Sequence, residues 1–195
     1  MLQDKLHATM DKLSNGEFDG IAVKDSFIKE AVQEFEDCLI KQLTPRDKGF
    51  RLRMSNVGKP ICQLQWAAKG AKEKRKDYNF IMRMMFGDAT EVLTNLMLKL
   101  AGANITGSKN KVELKLGKTV VRGEDDIHID DKVYDVKSCS PFAYDNKWSK
   151  GYEGLKSDDA FGYIGQLAGY SEAQGKEPGG WIVVEKSSGR LSVVE

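Results

Sequence analysis

Three residues of this 195-residue chain have the types and spacing to do chemistry together: Asp126, Asp135 and Lys137. Two carboxylates brought side by side on a β-hairpin form a hard oxygen cage of the kind that suits Mg²⁺. A lysine two positions after the second carboxylate points to the same sheet face, where it can hold or polarise an attacking water. Six acids lie from Glu124 to Asp135, opposed within that stretch by Lys132. Packed like charges repel, and such clusters are commonly kept where a cation neutralises them. The pattern is short, and the same residues also suit an exposed acidic turn followed by a strand that carries an unrelated lysine.

The elements that must position these groups are legible in the pattern. Ile127 and Ile129 alternate with His128 and Asp130, Asp130-Asp131-Lys132 supplies turn chemistry, and Val133 opens a return strand. Asp126 then ends one side of a hairpin whose other side carries Asp135. His128 reads as an incidental polar residue on the opposite strand face from the isoleucines, rather than as a ligand. Upstream, helices are expected over residues 1–13, ending near Ser14-Asn15-Gly16, and from Asp25 to Leu43, where Phe27, Ala31, Phe35 and Leu39 recur at helical spacing. A long apolar helix runs from Asn79 to Leu100 and stops at Gly102. Val112 to Leu116 and Thr119 to Arg122 form a hairpin about Gly117-Lys118. Ser157-Asp158 can cap a further helix that reaches about Gln174, and Trp181 to Glu185 pairs with Leu191 to Val194. Helices interleaved with strands place the chain in the α/β class, and its length and 41% apolar content suit one globular domain with a full core.

Four short motifs occur in a fixed order along this framework. Gly87 to Glu91 lies in the apolar helix (Phe86-Gly87-Asp88-Ala89-Thr90-Glu91). Gly123 to Asp126 gives Gly-x-x-Asp, Asp135 to Ser138 gives Asp-x-Lys-Ser, and Gln166-Leu167-Ala168-Gly169-Tyr170 gives Q-x-x-x-Y. Together they resemble the PD-(D/E)XK nuclease superfamily, and within it the RecB-like exonuclease branch, over roughly residues 50 to 195. The resemblance implies a restriction-endonuclease-like core, a central mixed sheet flanked by helices, with residues 1–45 as a helical N-terminal region and 46–195 as the nuclease core. It implies that Mg²⁺, with Mn²⁺ able to substitute, is held by Glu91, Asp126, Asp135 and the Val136 carbonyl. Lys137 would position the nucleophile, Gln166 would orient it, and Tyr170 and Arg83 would meet the DNA backbone. The Gly-x-x-Asp register favours Asp126 over its neighbour Asp125 as ligand.

The activity implied is hydrolysis of phosphodiester bonds in DNA, foremost by an exonuclease of phage-type replication or recombination. A structure-specific or nicking endonuclease would use the same chemistry, and a non-catalytic DNA-binding module would keep the same fold. DNA is the implied partner, with a homo-oligomer, a phage recombination protein or a single-strand-binding protein as further ones.

Each motif residue also has an ordinary reading. Glu91 follows the apolar run from Phe80 to Phe86 and precedes Val92, Leu93, Leu96 and Met97. A carboxylate in such a segment is costly to bury unless paired or metal-bound, although it can also share a wet stripe with Arg83, Asn95 and Lys99. Gly87 costs a helix interior about 1 kcal/mol against alanine, which suits a close backbone approach. Gln166 and Tyr170, one turn apart, share a helix face and suit either a common phosphate or a half-buried surface.

The formal charge of +1 announces no nucleic-acid partner, but its distribution is uneven. From Arg46 to Arg83 eleven Lys/Arg face three acids (Asp47, Glu73 and Asp77), a net of +8 that suits phosphate binding or a solvated loop. In Arg51-Leu52-Arg53-Met54-Ser55 the basic residues alternate with apolar ones before Gly58-Lys59-Pro60, so Arg51, Arg53 and Ser55 can line one DNA-binding face.

An iron–sulfur cluster, which some RecB-like relatives carry, needs four cysteine ligands. Cys38, Cys62 and Cys139 are the three in this chain, none in a C-x-x-C pair. That spacing also disfavours structural zinc and disulfides, and a reducing cytoplasm is the expected setting, the host's if the chain is phage-encoded. Cys38 is expected in a helix core. No membrane segment or signal peptide is expected, because the longest apolar helix is interrupted by Arg83, Asp88, Glu91 and Lys99.

Overall fold

The structure, a computed structural model, describes residues 1–44, 49–71 and 79–195. Helices α1 (Leu2–Ser14), α2 (Asp25–Leu43), α3 (Ile61–Ala68) and α4 (Asn79–Leu100) come first. Five strands follow: β1 (Ile105–Ser108), β2 (Lys111–Leu116), β3 (Thr119–Glu124), β4 (Ile127–Ile129) and β5 (Lys132–Cys139). Short helices α5 (Pro141–Asn146) and α6 (Gly151–Ser157) lead into α7 (Tyr163–Gln174), and β6 (Pro178–Glu185) and β7 (Leu191–Val194) close the described fold. This is an α/β fold built on a mixed five-stranded sheet of order β1-β4-β5-β6-β7, with β2 and β3 forming a separate hairpin. The β5–β6 pair is parallel because α5, α6 and α7 carry the chain back across the sheet between them, while the other pairs are antiparallel.

Period-two alternation along β5 divides the core into two layers. Val133 and Cys139 point into a layer with Trp181, Val183, Leu167 and Tyr170, under α7. Tyr134 and Val136 point the other way, into a layer with Ile182, Leu98, Leu6 and Ile127, under α4 and α1. Asp135 and Lys137 therefore belong by alternation to the α7 layer, where they interrupt an otherwise apolar strand face.

The segment before α3 is pinned by one side chain. Met54, in a short 3₁₀ turn (Met54–Asn56), is fully buried. A Cβ added at Gly123 would lie 2.5 Å from the Met54 Cβ, and one added at Gly169 would lie 2.7 Å from its Sδ. Real Cβ atoms do not tolerate such contacts, so the two glycines form the socket that admits Met54 between β3 and α7. A similar backbone contact joins the Gly58 turn to the start of α7, where a Cβ at Gly162 would meet the Gly58 carbonyl carbon at 2.4 Å.

Several sequence expectations differ from the fold. The helix ending at Gln174 is capped by Asp159, whose carboxylate accepts from Tyr163 N at 2.8 Å and Ile164 N at 2.9 Å, and not by Ser157-Asp158, which close α6. The apolar spacing of α2 does not mark a buried face: Phe35 is exposed, Phe27, Ala31 and Leu39 are partly exposed, and Cys38 is half-buried. α2 meets α4 instead through polar contacts, Lys99 to Glu30 at 2.7 Å and Gln42 to Asp88 at 2.6 Å. The stripe of Asn95 and Lys99 is thus a helix–helix seam rather than a wet surface, since Asn95 is buried. Among the described residues no helix is long and apolar enough to cross a membrane.

Met54→Ala is expected to destabilise the fold by about 2–5 kcal/mol, the usual range for emptying a buried methionine site. Urea unfolding of the two proteins measures it, and an unchanged midpoint would refute the socket.

Candidate functional site

The register of one hairpin assembles the centre of the site. Ile129 pairs with Lys132, His128 with Val133 and Ile127 with Tyr134. The ladder ends at Ile127, and Asp126, the next residue back, lies beside Asp135, whose charge it feels. The register depends on a two-residue turn whose residues, Asp130 and Asp131, both take left-handed backbone (φ 51° and 63°), as a type I′ turn requires. Asp tolerates that region better than most residues. Outside groups hold the turn in place: Asn104 Nδ2 donates to Asp130 at 3.0 Å, and the Lys176 ammonium bonds Asp131, holding its carboxyl below the usual range.

Past the end of the ladder, Asp126 takes over the role of a strand partner. Its Oδ2 accepts the Val136 backbone N–H at 2.8 Å. The N–H and C=O of one strand residue share an edge, so the Val136 carbonyl lies on the same strand edge as Asp126. Lys137 Nζ sits 2.5 Å from Asp135 Oδ2, and its ammonium also lies over the Tyr163 ring, 5.4 Å from the centroid. Asp135 is buried, and its Oδ2 is sealed from solvent against that ammonium.

The electrostatics follow from two carboxylates sharing one ammonium. Burial pushes the Asp135 carboxyl up to about 7; the Lys137 charge pulls against that shift, and the neighbouring Asp126 charge adds to it. Burial alone would lower the Lys137 ammonium, but the Asp135 and Asp126 charges outweigh it and hold the lysine above its ordinary value. The trio thus keeps its lysine charged and binds one further proton readily.

Asp125, the rival of Asp126 in the sequence, faces away into the structure. It is fully buried and accepts from Asn110 N at 2.8 Å, His128 Nε2 at 2.8 Å and Gln174 Nε2 at 2.8 Å. His128 is correspondingly buried and not incidental: it ties β4 to this carboxylate, and a Cβ at Gly107 would strike its ring at 2.9 Å.

α7 presents one stripe to the trio. Tyr163, Gln166, Tyr170 and Gln174 recur at helical spacing. Burial pushes Tyr170 up to about 12, the adjoining Gln166 side chain pulls it down, and the Asp126 and Asp135 charges raise it further. The Tyr170 ring fills the space left by Gly123, whose added Cβ would lie 2.8 Å from Cε1. So buried a ring offers no surface to a DNA backbone, and the expected contact there gives way to packing under the carboxylates. Tyr163 and Gln174 were not anticipated as site residues, although the Q-x-x-x-Y spacing extended by one turn in each direction finds both.

The remaining expected residues lie further out. Glu91 is partly buried on α4 and is ion-paired to Lys109. Among the described residues no three His, Cys, Asp or Glu side chains come together closely enough to hold a metal ion, so the expected triad of Glu91, Asp126 and Asp135 is not drawn into one cluster. The reason is visible in the layers: Glu91 approaches from the α4 side, where Gly87 lies over Ser138, while Asp135 and Lys137 point to the α7 side. Arg51, Arg53 and Ser55 are exposed around the buried Met54, with Arg53 bridged to Arg122 of β3, and Arg83 is exposed on the first half of α4. Of the basic strip, Arg46, Lys48, Lys72, Lys74, Arg75 and Lys76 lie outside the described residues, as do Asp47, Glu73 and Asp77.

No protein family, curated protein or solved structure matches the chain.

The two neighbouring aspartates should separate cleanly by stability. Asp125→Ala strips the acceptor from Asn110 and the buried His128, while Gln174 keeps the Tyr170 carbonyl, and at about 1–3 kcal/mol for each lost partner the expected loss is about 3 kcal/mol. Asp126→Asn keeps an acceptor for Val136 and should cost less than about 1.5 kcal/mol. Equal losses in chemical denaturation would contradict this division of labour.

Proposed function

We propose that the chain is a metal-dependent deoxyribonuclease of the restriction-endonuclease-like type, acting as an exonuclease. The observation that carries the reading is the trio itself: Asp126 beside Asp135 at the end of a hairpin, with the Lys137 ammonium 2.5 Å from Asp135. Support also comes from the motif order and from the α7 stripe, in which Tyr170 adjoins the same carboxylates and Gln166 adjoins Tyr170.

A hard divalent cation fits the donors present. Asp135 has a buried carboxylate facing the Lys137 ammonium, Asp126 lies beside it, and the Val136 carbonyl lies on the same edge. When bound, such a cation lowers the pKa of a coordinated water and stabilises charge on a phosphate. Glu91, paired with Lys109 on the α4 side, stands outside this donor set.

The chain's own residues then divide the work. Lys137, kept charged by two carboxylates, is a poor base; it orients the attacking water and offsets charge developing on the phosphate. Tyr163 fixes the ammonium from above through its ring face. Gln166 supplies an amide that can orient the water, steadied by Tyr170 beneath. Arg51, Arg53 and Ser55 are exposed and suit phosphate contacts, which position DNA without reading its sequence.

Digestion of matched linear and covalently closed circular DNA, single- and double-stranded, with Mg²⁺ or Mn²⁺ tests the proposal. Loss of linear DNA alone is expected, reduced at least about a hundredfold by Lys137→Ala, as for removal of a charge-stabilising group. Cutting of circles would indicate an endonuclease, and DNA binding without cleavage would leave a non-catalytic module. A second expectation concerns pH. Cation binding must displace the proton that Asp135 holds up to about pH 7, so affinity should fall by about tenfold per unit as pH drops below that value. Calorimetry in buffers of different ionisation enthalpy would detect the released proton; a flat affinity from pH 8 to pH 6 would contradict it.

A further inference from the structure

Phe161 is a large aromatic side chain left in solvent next to the site, 60% exposed. Single apolar residues at a surface are ordinary. This one is set apart by what it touches and by what holds it. Its ring stacks on Tyr163, with centroids 5.5 Å and planes 23° apart, and the Tyr163 ring in turn carries the Lys137 ammonium 5.4 Å from its centroid. One ring therefore separates a solvent-facing aromatic surface from the charged lysine of the trio.

The backbone fixes the ring in that place. Asp159 to Gly162 form a tight turn, in which the Gly162 N–H donates to the Asp159 carbonyl at 3.1 Å and Gly162 takes φ 75°. The Asp159 carboxylate accepts the first N–H groups of α7, and Gly162 is lodged against the Gly58 turn, where an added Cβ would meet the Lys59 nitrogen at 2.7 Å. A ring held in this way loses little freedom when a ligand rests on it. Charge at the turn also suits a phosphate chain. Asp158 is paired with Lys147 at 3.2 Å, Asp159 is occupied by the helix, and the Gly58 turn brings Lys59 alongside.

A flat apolar face one ring away from a phosphodiester site accepts a nucleobase. Bases stack on aromatic side chains whatever their sequence, because each has a π-face. Within a duplex both faces of a base are covered by its neighbours, so a base free to rest on Phe161 is an unpaired one. We propose that Phe161 is a stacking platform for an unpaired base beside the phosphodiester at the trio, so that the site takes single-stranded DNA. This rests on the DNA-cleaving reading above and adds the strand class of its substrate.

The test is binding of labelled oligonucleotides, followed by fluorescence anisotropy in EDTA and again with Ca²⁺, without Mg²⁺ or Mn²⁺. Phe161→Ala and Phe161→Leu should each bind a single strand about fivefold or more weakly, the loss of one base stack. Phe161→Trp should bind it at least as tightly as the parent protein, and all three variants should bind a blunt duplex as the parent does. An abasic nucleotide at one terminus of the strand should weaken the parent by the same factor and Phe161→Ala no further, a coupling that a merely structural role would not produce. Undiminished single-strand binding by Phe161→Ala, with cleavage in Mg²⁺ intact, would overturn the platform alone. So would a Phe161→Leu protein that binds like the parent, or equal losses on single strands and blunt duplex. Absence of DNA binding by the parent under both conditions would overturn this inference and the DNA-cleaving function together. The expected binding pattern without cleavage in Mg²⁺ or Mn²⁺ would sustain the platform and sink the nuclease alone.

Discussion

Two carboxylates brought side by side where an antiparallel hairpin ends repel, and the structure around them answers that repulsion. Asp126 and Asp135 share the Lys137 ammonium; Asp126 also takes the Val136 N–H, and Asp135 retains an affinity for a proton well above that of an ordinary carboxylate. Everything nearby keeps these groups from drifting apart. The Asp130-Asp131 turn sets the register, Asn104 and Lys176 hold the turn, and β6 pairs in parallel along the whole of β5 from Val133 to Cys139. A one-residue slip would send Asp135 and Lys137 to the α4 layer and leave Asp126 facing nothing useful.

The second constraint is steric. Helix α7 can lie close enough to offer Gln166 and Tyr170 to the carboxylates because glycine stands where the backbones meet. Gly123 makes room for the Tyr170 ring and for Met54, Gly169 for Met54 again, and Gly162 and Gly165 for the Gly58 turn. Gly123 thus has a steric reason for its place three residues before Asp126, since a Cβ there would displace the ring beneath the site. The cluster of Asn110, His128 and Gln174 on Asp125 completes the clamp by fastening the last turn of α7 to the strand end that carries Asp126.

Lysines take the place that water would fill at an exposed acidic cluster. Each inner carboxylate has an ammonium nearby, from Lys137 within the strand and from Lys109 across the α4 boundary. A site arranged in this way is already close to neutral, which lowers the cost of burying it.

Much of this was readable in the chain because it depends on local periodicity. The limits of α2 and α4, the β2–β3 and β6–β7 hairpins, the acidic hairpin and the neighbourhood of Asp126, Asp135 and Lys137 all follow from alternation, turn chemistry and breakers within a few residues. What lay beyond reach depends on partners distant in sequence. The Gly-x-x-Asp register favoured Asp126, but what Asp125 does was hidden: only the packing of Asn110, His128 and Gln174 makes it a structural anchor. His128, Tyr163 and Lys109 look ordinary until the sheet and α7 bring them to a carboxylate, a lysine and a second helix. The apolar spacing of α2 promised burial, yet the helix meets α4 through charged and amide groups. Spacing reports which residues share a face, whereas what covers that face is decided by chain folded over it from elsewhere. The sequence by itself therefore determined the elements and the aspartate pair, and the tertiary structure decided the partner of each charge, because burial and long-range contacts, not spacing, determine where a charge can be neutralised.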